Sequence, residues 1–162
     1  MTGIVTDEMR AQIGQLTQPP VTAEITARDA QRYAMAVDDL TPVYFDLDAA
    51  RAAGYRTLVA PPTFVGHVVA PTKPLSELRE DGLYRGGARL RHGLPRVMAG
   101  GDAWELVAPA YVGDVVTAES RLAEITERQG SKGPFVTSVV ETVFTNADGE
   151  VIARLRQTAI AR

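Results

Sequence analysis

The stretch Pro61-Pro-Thr-Phe-Val-Gly-His-Val-Val-Ala-Pro71 decides how this chain folds. Two prolines suit the first turn of a helix, where missing N–H groups matter least, and Pro71 stops it. The helix between them, expected near 62–70, is apolar nearly all round, which marks a helix enclosed by other structure. What encloses it stands downstream. Segments 104–110, 115–126, 135–145 and 150–160 read as strands, separated by Gly113-Asp114, Gly130–Pro134 and Asn146–Gly149. In the last of them Val151, Ala153, Leu155 and Ala159 share one face, and Arg154, Arg156 and Thr158 the other. That alternation suits an antiparallel sheet packed on one side. Long strands after one buried helix give an α+β domain with the helix against the sheet.

Upstream, Val21–Ile25 is a short extended segment, and Thr26 is a helix N-cap with Asp29 at the capping-box position. The helix, expected over Arg28–Val37, places Ala30, Tyr33, Ala34 and Val37 on one face. Pro42 ends it by restraining Thr41. Asp46 caps a second short helix, Leu47–Ala53, with Gly54 as its C′ residue. Residues 71–101, rich in Gly, Pro and Arg, read as a long excursion, and Gly100-Gly101 serve a tight turn or bulge. The expected organisation is an N-terminal extension, 1–19, and one domain, 20–162.

Composition excludes several function classes. With 162 residues, 45% hydrophobic and 23% charged, the chain is globular. It has no cysteine, which rules out disulfides, thiolate metal sites and a cysteine nucleophile. No His/Asp/Glu cluster has metal-ligand spacing, so neither a metal nor another cofactor is expected. A net charge of -3 gives no nucleic-acid footprint. No apolar run is long enough to span a membrane, and residues 1–20 lack the pattern of a secretory signal, so the cytoplasm is the expected compartment. Of 17 basic residues only Lys73 and Lys132 are lysines, a bias that suits carboxylate or phosphate recognition and equally reflects base composition.

Three ordered motifs narrow the reading: Tyr33-Ala-Met-Ala-Val-Asp-Asp-Leu-Thr-Pro-Val-Tyr-Phe-Asp46, Gly54-Tyr-Arg-Thr-Leu-Val-Ala-Pro-Pro-Thr-Phe64 and Tyr111-Val-Gly-Asp114. Over about residues 20–160 the chain resembles the MaoC-like dehydratases, in particular their N-terminal-type branch, the dehydratase-like region also found in fungal-type fatty acid synthases. The resemblance implies a hotdog fold, an antiparallel sheet wrapped around a central helix. It also implies (R)-specific enoyl-CoA hydratase or 3-hydroxyacyl dehydratase chemistry on a thioester of CoA or acyl carrier protein. Catalytic members carry Asp-x-Asn-Pro-x-His-x-Asp, whose first Asp and His face one water, and a glycine N–H at the start of the central helix that polarises the thioester carbonyl.

This sequence departs from that pattern twice. The matching segment is Asp39-Leu-Thr-Pro-Val-Tyr-Phe-Asp46, with Thr41 in place of Asn and Tyr44 in place of His. A phenol, ordinarily near pKa 10, is poorly matched to proton exchange at neutral pH in place of an imidazole near 6.5. The glycine position falls on Pro62, which has no N–H to donate. An alignment one residue along makes Thr63 the donor.

Each candidate also has a plain role. Asp39 is either a retained base or a residue of the helix-terminating turn. Tyr44 either meets a substrate carbonyl or is a half-buried aromatic. His67 is a core histidine or a proton donor, and His92 a solvated loop residue or an unconventional acid. Phe64 lines the acyl pocket if it faces the channel. Arg85, Arg89, Arg91 and Arg96 form either a rim for CoA phosphates, with Arg91 the named contact, or a loop and interface patch.

The leading functional expectation is an acyl-binding hydratase/dehydratase subunit that lacks the full dyad and works with an intact MaoC-like chain. The alternatives are a homodimer using Asp39 with Tyr44, His67 or His92, and a non-enzymatic acyl-thioester binding protein. A hotdog thioesterase fits least, because residues 61–71 contain no carboxylate.

Overall fold

The computed structural model describes residues 3–70, 74–78, 80, 94, 96–131 and 133–162. Arg85, Arg89, Arg91 and His92 lie outside them. The elements run α1 Asp7–Arg10, β1 Val21–Glu24, α2 Ala27–Ala36, α3 Leu47–Ala52, α4 Phe64–Val68, β2 Val97–Leu106, β3 Val115–Gly130, β4 Gly133–Thr145 and β5 Val151–Ala161, with short 3₁₀ turns at Pro42–Tyr44 and Leu75–Glu77. The strands form one antiparallel sheet in the order β1-β3-β4-β5-β2.

Local chemistry accounts for most boundaries. The Thr26 hydroxyl accepts from the Asp29 N–H at 3.1 Å and donates to Asp29 Oδ2 at 2.7 Å, which opens α2. Asp46 Oδ1 accepts from the N–H groups of Asp48 and Ala49 and opens α3. Gly54, at φ +90°, closes α3: its N–H reaches Arg51 O and the Tyr55 N–H reaches Ala50 O, a Schellman pair. At the hairpin ending β4, Asn146 Oδ1 accepts from the N–H groups of Asp148 and Glu150.

Several expectations need correction. Helix α2 stops at Ala36, so Val37 is its C-cap and is 53% exposed instead of sharing the buried face of Ala30 and Ala34. What stops it is a Schellman turn and not Pro42: Asp38 adopts φ +56°, its N–H bonds Met35 O, and the Asp39 N–H bonds Ala34 O at 2.9 Å. Strand β2 begins at Val97, inside the expected excursion. Gly100 is absorbed as a bulge between Ala99 and Gly101, with Gly101 at φ +126°, so pairing with β5 continues through it. The strand expected to reach Ala110 ends at Leu106, where the N–H groups of Val107 and Ala108 both turn to Ile152 O.

The central helix is shorter and less enclosed than its composition implies. It starts at Phe64, whose N–H bonds Pro61 O at 2.9 Å, because Pro61 and Pro62 donate nothing. Only Phe64 and Val65 within it are buried; His67 is exposed. Phe64 anchors the main core with Ile25, Val116, Phe144 and Leu155. The residues preceding the expected domain are also part of the packing: Val5 and Met9 cover Leu122, Ile125, Val136 and Val140. One face of the long β3–β4 ribbon is therefore covered by α4 toward one end and by the N-terminal segment toward the other.

Phe144→Ala is expected to cost about 3–5 kcal/mol of unfolding free energy, as for other buried aromatics. Val37→Ala is expected to stay within about 0.5 kcal/mol. Urea titration reads both, and equal losses would contradict the burial described.

Candidate functional site

The Schellman turn that ends α2 delivers Asp39 as its last residue, and the chain then enters the 3₁₀ turn at Pro42. Thr41 is extended (φ −56°, ψ 124°), as a residue before proline must be. The result is a closed set of hydrogen bonds. Asp39 Oδ1 accepts from the Thr41 hydroxyl at 2.6 Å and from the Thr41 N–H at 3.3 Å. Asp39 Oδ2 accepts from the Tyr44 hydroxyl at 3.2 Å. Tyr44 is 7% exposed and packs with Ala34 and Val59.

These bonds set the protonation states. The Thr41 hydroxyl, with the Thr41 N–H and the Tyr44 hydroxyl, holds the Asp39 carboxyl below its ordinary value against a smaller opposing effect of burial. Burial, and then the Asp39 charge and hydrogen bond, push the Tyr44 phenol above its ordinary value. A carboxylate displaced downward and a phenol displaced upward both move away from neutrality. Asp39 and Tyr44 are thus brought together as the motif implies, in the form of a carboxylate–phenol pair.

Two other motif segments are tied to each other by contacts that sequence reasoning missed. The Arg56 guanidinium lies 4.1 Å from the centroid of the Tyr111 ring and pairs with the Asp114 carboxylate. The other oxygen of Asp114 accepts from the Tyr111 N–H at 3.0 Å. Val59 bridges Tyr111, and the Val112 N–H bonds Leu58 O at 2.9 Å. This clamp holds the Pro61-Pro62 turn beside residues 106–110. Arg56 and Asp114 sit in the quoted motifs, and an opposite charge pair there was the available signal.

Two cavities open on opposite flanks of α4. The first, about 480 Å³, is bordered by Thr41, Tyr44, Tyr55, Pro62, Val65 and the 106–110 segment. The second, about 610 Å³, lies between α4 and the sheet and is bordered by Tyr33, Thr63, Gly66, His67 and Trp104 among others. Pro62 and Tyr44 therefore share the first cavity, while Thr63 and His67 face the second. The Thr63 hydroxyl is hydrogen-bonded to the Tyr33 hydroxyl at 2.9 Å. Phe64 belongs to the core, with its ring 5.5 Å from that of Tyr33, and borders neither cavity. Arg91 lies outside the described residues. Among the described residues no group of three or more His, Asp or Glu side chains is placed to hold a metal ion. None of the described helices is long and apolar enough to cross a membrane.

The hydrogen-bond set has a pH signature. The Asp39 carboxyl is lower in the folded than in the unfolded chain, so its contribution to stability is present above about pH 3.9. It is lost as the pH falls through the folded value. By carboxyl NMR titration Asp39 is expected to ionise below the ordinary aspartate range. It should move up more in Thr41→Val than in Tyr44→Phe, because the Thr41 hydroxyl is the larger cause. The reverse order would contradict the assigned geometry.

Comparison with known proteins places this chain in a family. The model for the FAS1-like, dehydratase domain region matches residues 11–155. A UPF0336 protein of Saccharopolyspora erythraea is 29% identical over 150 residues, covering 93% of this chain and 88% of the relative. One from Streptomyces griseus is 31% identical over 116 residues, covering 71% and 72%. Among solved structures, the ChsH1–ChsH2 complex from Mycobacterium tuberculosis matches with a TM-score of 0.72 at 19% identity, covering 94% of this chain and 90% of the other. The HadBC (3R-hydroxyacyl-ACP dehydratase) complex of the same organism matches with 0.64 at 23%, covering 90% and 93%. The (R)-hydratase from A. caviae matches with 0.62 at 15%, covering 90% and 95%. These structures share the hotdog fold with this chain. The chain is a member of the FAS1-like dehydratase-region family and shares its hotdog fold with the MaoC-like dehydratase and (R)-hydratase structures.

Proposed function

We propose that this chain is the acyl-binding subunit of an enoyl-CoA hydratase or 3-hydroxyacyl-thioester dehydratase, and that a partner hotdog carrying an intact Asp-x-Asn-Pro-x-His segment performs the proton transfers. The observation that carries the proposal is the Asp39–Tyr44 pair. Hydration of an enoyl thioester needs a base that takes a proton from water and an acid that returns one to the α-carbon, both poised near the working pH. Asp39 has its oxygens engaged and its basicity lowered; Tyr44 is a weaker acid than free tyrosine. Pro62, beside the same cavity, supplies no N–H for the thioester oxygen. His67 faces the other cavity, which weighs against a Tyr44–His67 combination within one chain.

The sheet edge supports the need for a partner. Among the described residues strand β2 pairs with β5 alone, and Met98, Leu106 and Val107 at this edge are about half exposed. A ten-residue edge strand with exposed apolar side chains favours pairing with another strand. Among the structural neighbours, two are complexes of two named chains, ChsH1–ChsH2 and HadBC. On this reading the ligand is an acyl thioester of CoA or acyl carrier protein, held against α4 while the partner supplies the dyad. The partner is either a distinct MaoC-like chain or, in the alternative reading, a second copy of this one.

Mixing this chain with a dyad-bearing MaoC-like chain from the same genome is expected to yield a stable heteromer by sedimentation, with crotonyl-CoA or longer enoyl-CoA hydration. Asp39→Asn in this chain should change kcat by less than about tenfold, whereas replacing the partner's Asp or His should lower it by about 10²-fold or more. A strictly monomeric chain under all mixtures, or equal losses from both sets of substitutions, would overturn the proposal.

A further inference from the structure

The second cavity has a floor whose chemistry the acyl-binding reading leaves unexplained. Across the sheet, Ser120 on β3 pairs with Thr142 on β4, Thr142 with Leu155 on β5, and Leu155 with Trp104 on β2. In the next row Leu122 pairs with Val140, Val140 with Gln157, and Gln157 with Asp102. Elsewhere the inward positions of β3 and β4 are apolar at Val116, Ala118, Leu122, Val136, Val140 and Phe144, and polar at Ser138, which borders neither cavity. Ser120 and Thr142 interrupt the apolar positions and, with the exposed Gln157 of β5 and Asp102 of β2, form a polar diagonal that borders the cavity. The interruption falls where the packing of α4 gives way to that of the N-terminal segment.

Ser120 and Thr142 are 4% and 6% exposed, and their hydroxyls are hydrogen-bonded to each other at 2.8 Å. Either can donate in that bond. Whichever does, the other hydroxyl keeps its own proton, and the pair keeps unused lone pairs. A hydrocarbon chain lying on this floor would offer no partner to the remaining proton and lone pairs. Valine at position 142 would fill the same volume without that cost. Tyr33, Thr63 and His67 add polar groups from the opposite side.

Resting on the acyl-thioester reading, we propose that the groove between α4 and the sheet accepts an acyl group bearing hydroxyl or keto oxygen farther along its chain than C3, in preference to a plain alkyl chain. Ser120 and Thr142 are the specificity-determining residues. Their mutual bond sets one hydroxyl as a donor and leaves acceptors beside it, so a hydroxyl or a carbonyl on the ligand finds a complement.

The molecule carries its own reporter. Trp104 is the single tryptophan, borders this groove and not the first cavity, and stacks on Phe144 at 5.6 Å and 19°. Trp104 fluorescence of the full chain would be titrated with octanoyl-CoA, dodecanoyl-CoA and analogues of each hydroxylated at successive carbons beyond C3. At least one hydroxylated analogue should bind about tenfold or more tightly than its plain counterpart, since a site built to hydrogen-bond a hydroxyl discriminates against the ligand lacking it. The preference should collapse to less than about threefold in Ser120→Ala/Thr142→Val and fall partway in the volume-matched Thr142→Val, judged on variants with wild-type circular dichroism. Plain chains binding as well as every analogue, or a preference unchanged in folded Thr142→Val, would overturn the proposal alone. Failure of every thioester to bind would overturn the acyl-thioester reading and this proposal with it.

Discussion

The close approach of Trp104 to Gly66 sets the height of α4 above the sheet. A Cβ added at Gly66 would sit 2.8 Å from the indole ring, so only glycine lets the helix settle where it does. From that position Phe64 reaches the main core, Pro62 and Val65 turn toward one cavity, and Thr63 and His67 toward the other. The indole is backed by Phe144, which is itself buried in the middle of the sheet. Both residues of this contact border the second cavity, so it shapes the groove on that flank of the helix.

On the proposed reading, the turn beside the first cavity holds a carboxylate–phenol pair where a hydratase needs a working acid and base. The turn that presents Asp39 is held by a strained residue, Asp38 in the left-handed region, which costs free energy wherever a side chain bears a Cβ. The Arg56–Asp114–Tyr111 clamp holds the opposite wall. On the proposed reading, such a wall serves to position a thioester for chemistry supplied across a subunit boundary. Phenol and carboxylate then act as packing and hydrogen-bonding elements, because their titrations lie on opposite sides of the pH at which hydration must run.

Much of this was legible in the sequence, for local reasons. The caps at Thr26 and Asp46 and the glycine stop at Gly54 depend on residues within one or two turns, and each behaves as its side-chain chemistry dictates. Asp39 and Tyr44 are five residues apart on a proline-stiffened turn, so their meeting could be anticipated. The contacts that escaped are those made by distant residues. Arg56 and Asp114 are 58 positions apart, so their opposite charges were a signal without a local pattern to pair them. The packing of Val5 and Met9 onto β3 and β4 likewise depends on the assembled sheet. Ser120 and Thr142 fit either face of a strand by propensity, so only the register places both hydroxyls on a cavity floor. The apolar run 62–70 misled because composition reports how much surface a helix could bury, and a groove on one flank leaves His67 in solvent.

The central claim is that proton transfer does not reside on this chain. It is tested most directly by measuring hydration of enoyl-CoA thioesters of several acyl lengths by the purified chain alone, at matched concentrations of wild type and Asp39→Asn. Loss of the histidine and of the N–H donor would each lower the rate by about 10²-fold or more, so turnover near the uncatalysed background and indifferent to Asp39→Asn is the predicted result. Robust turnover by the isolated wild type, abolished by Asp39→Asn, would contradict the account and return the chemistry to Asp39.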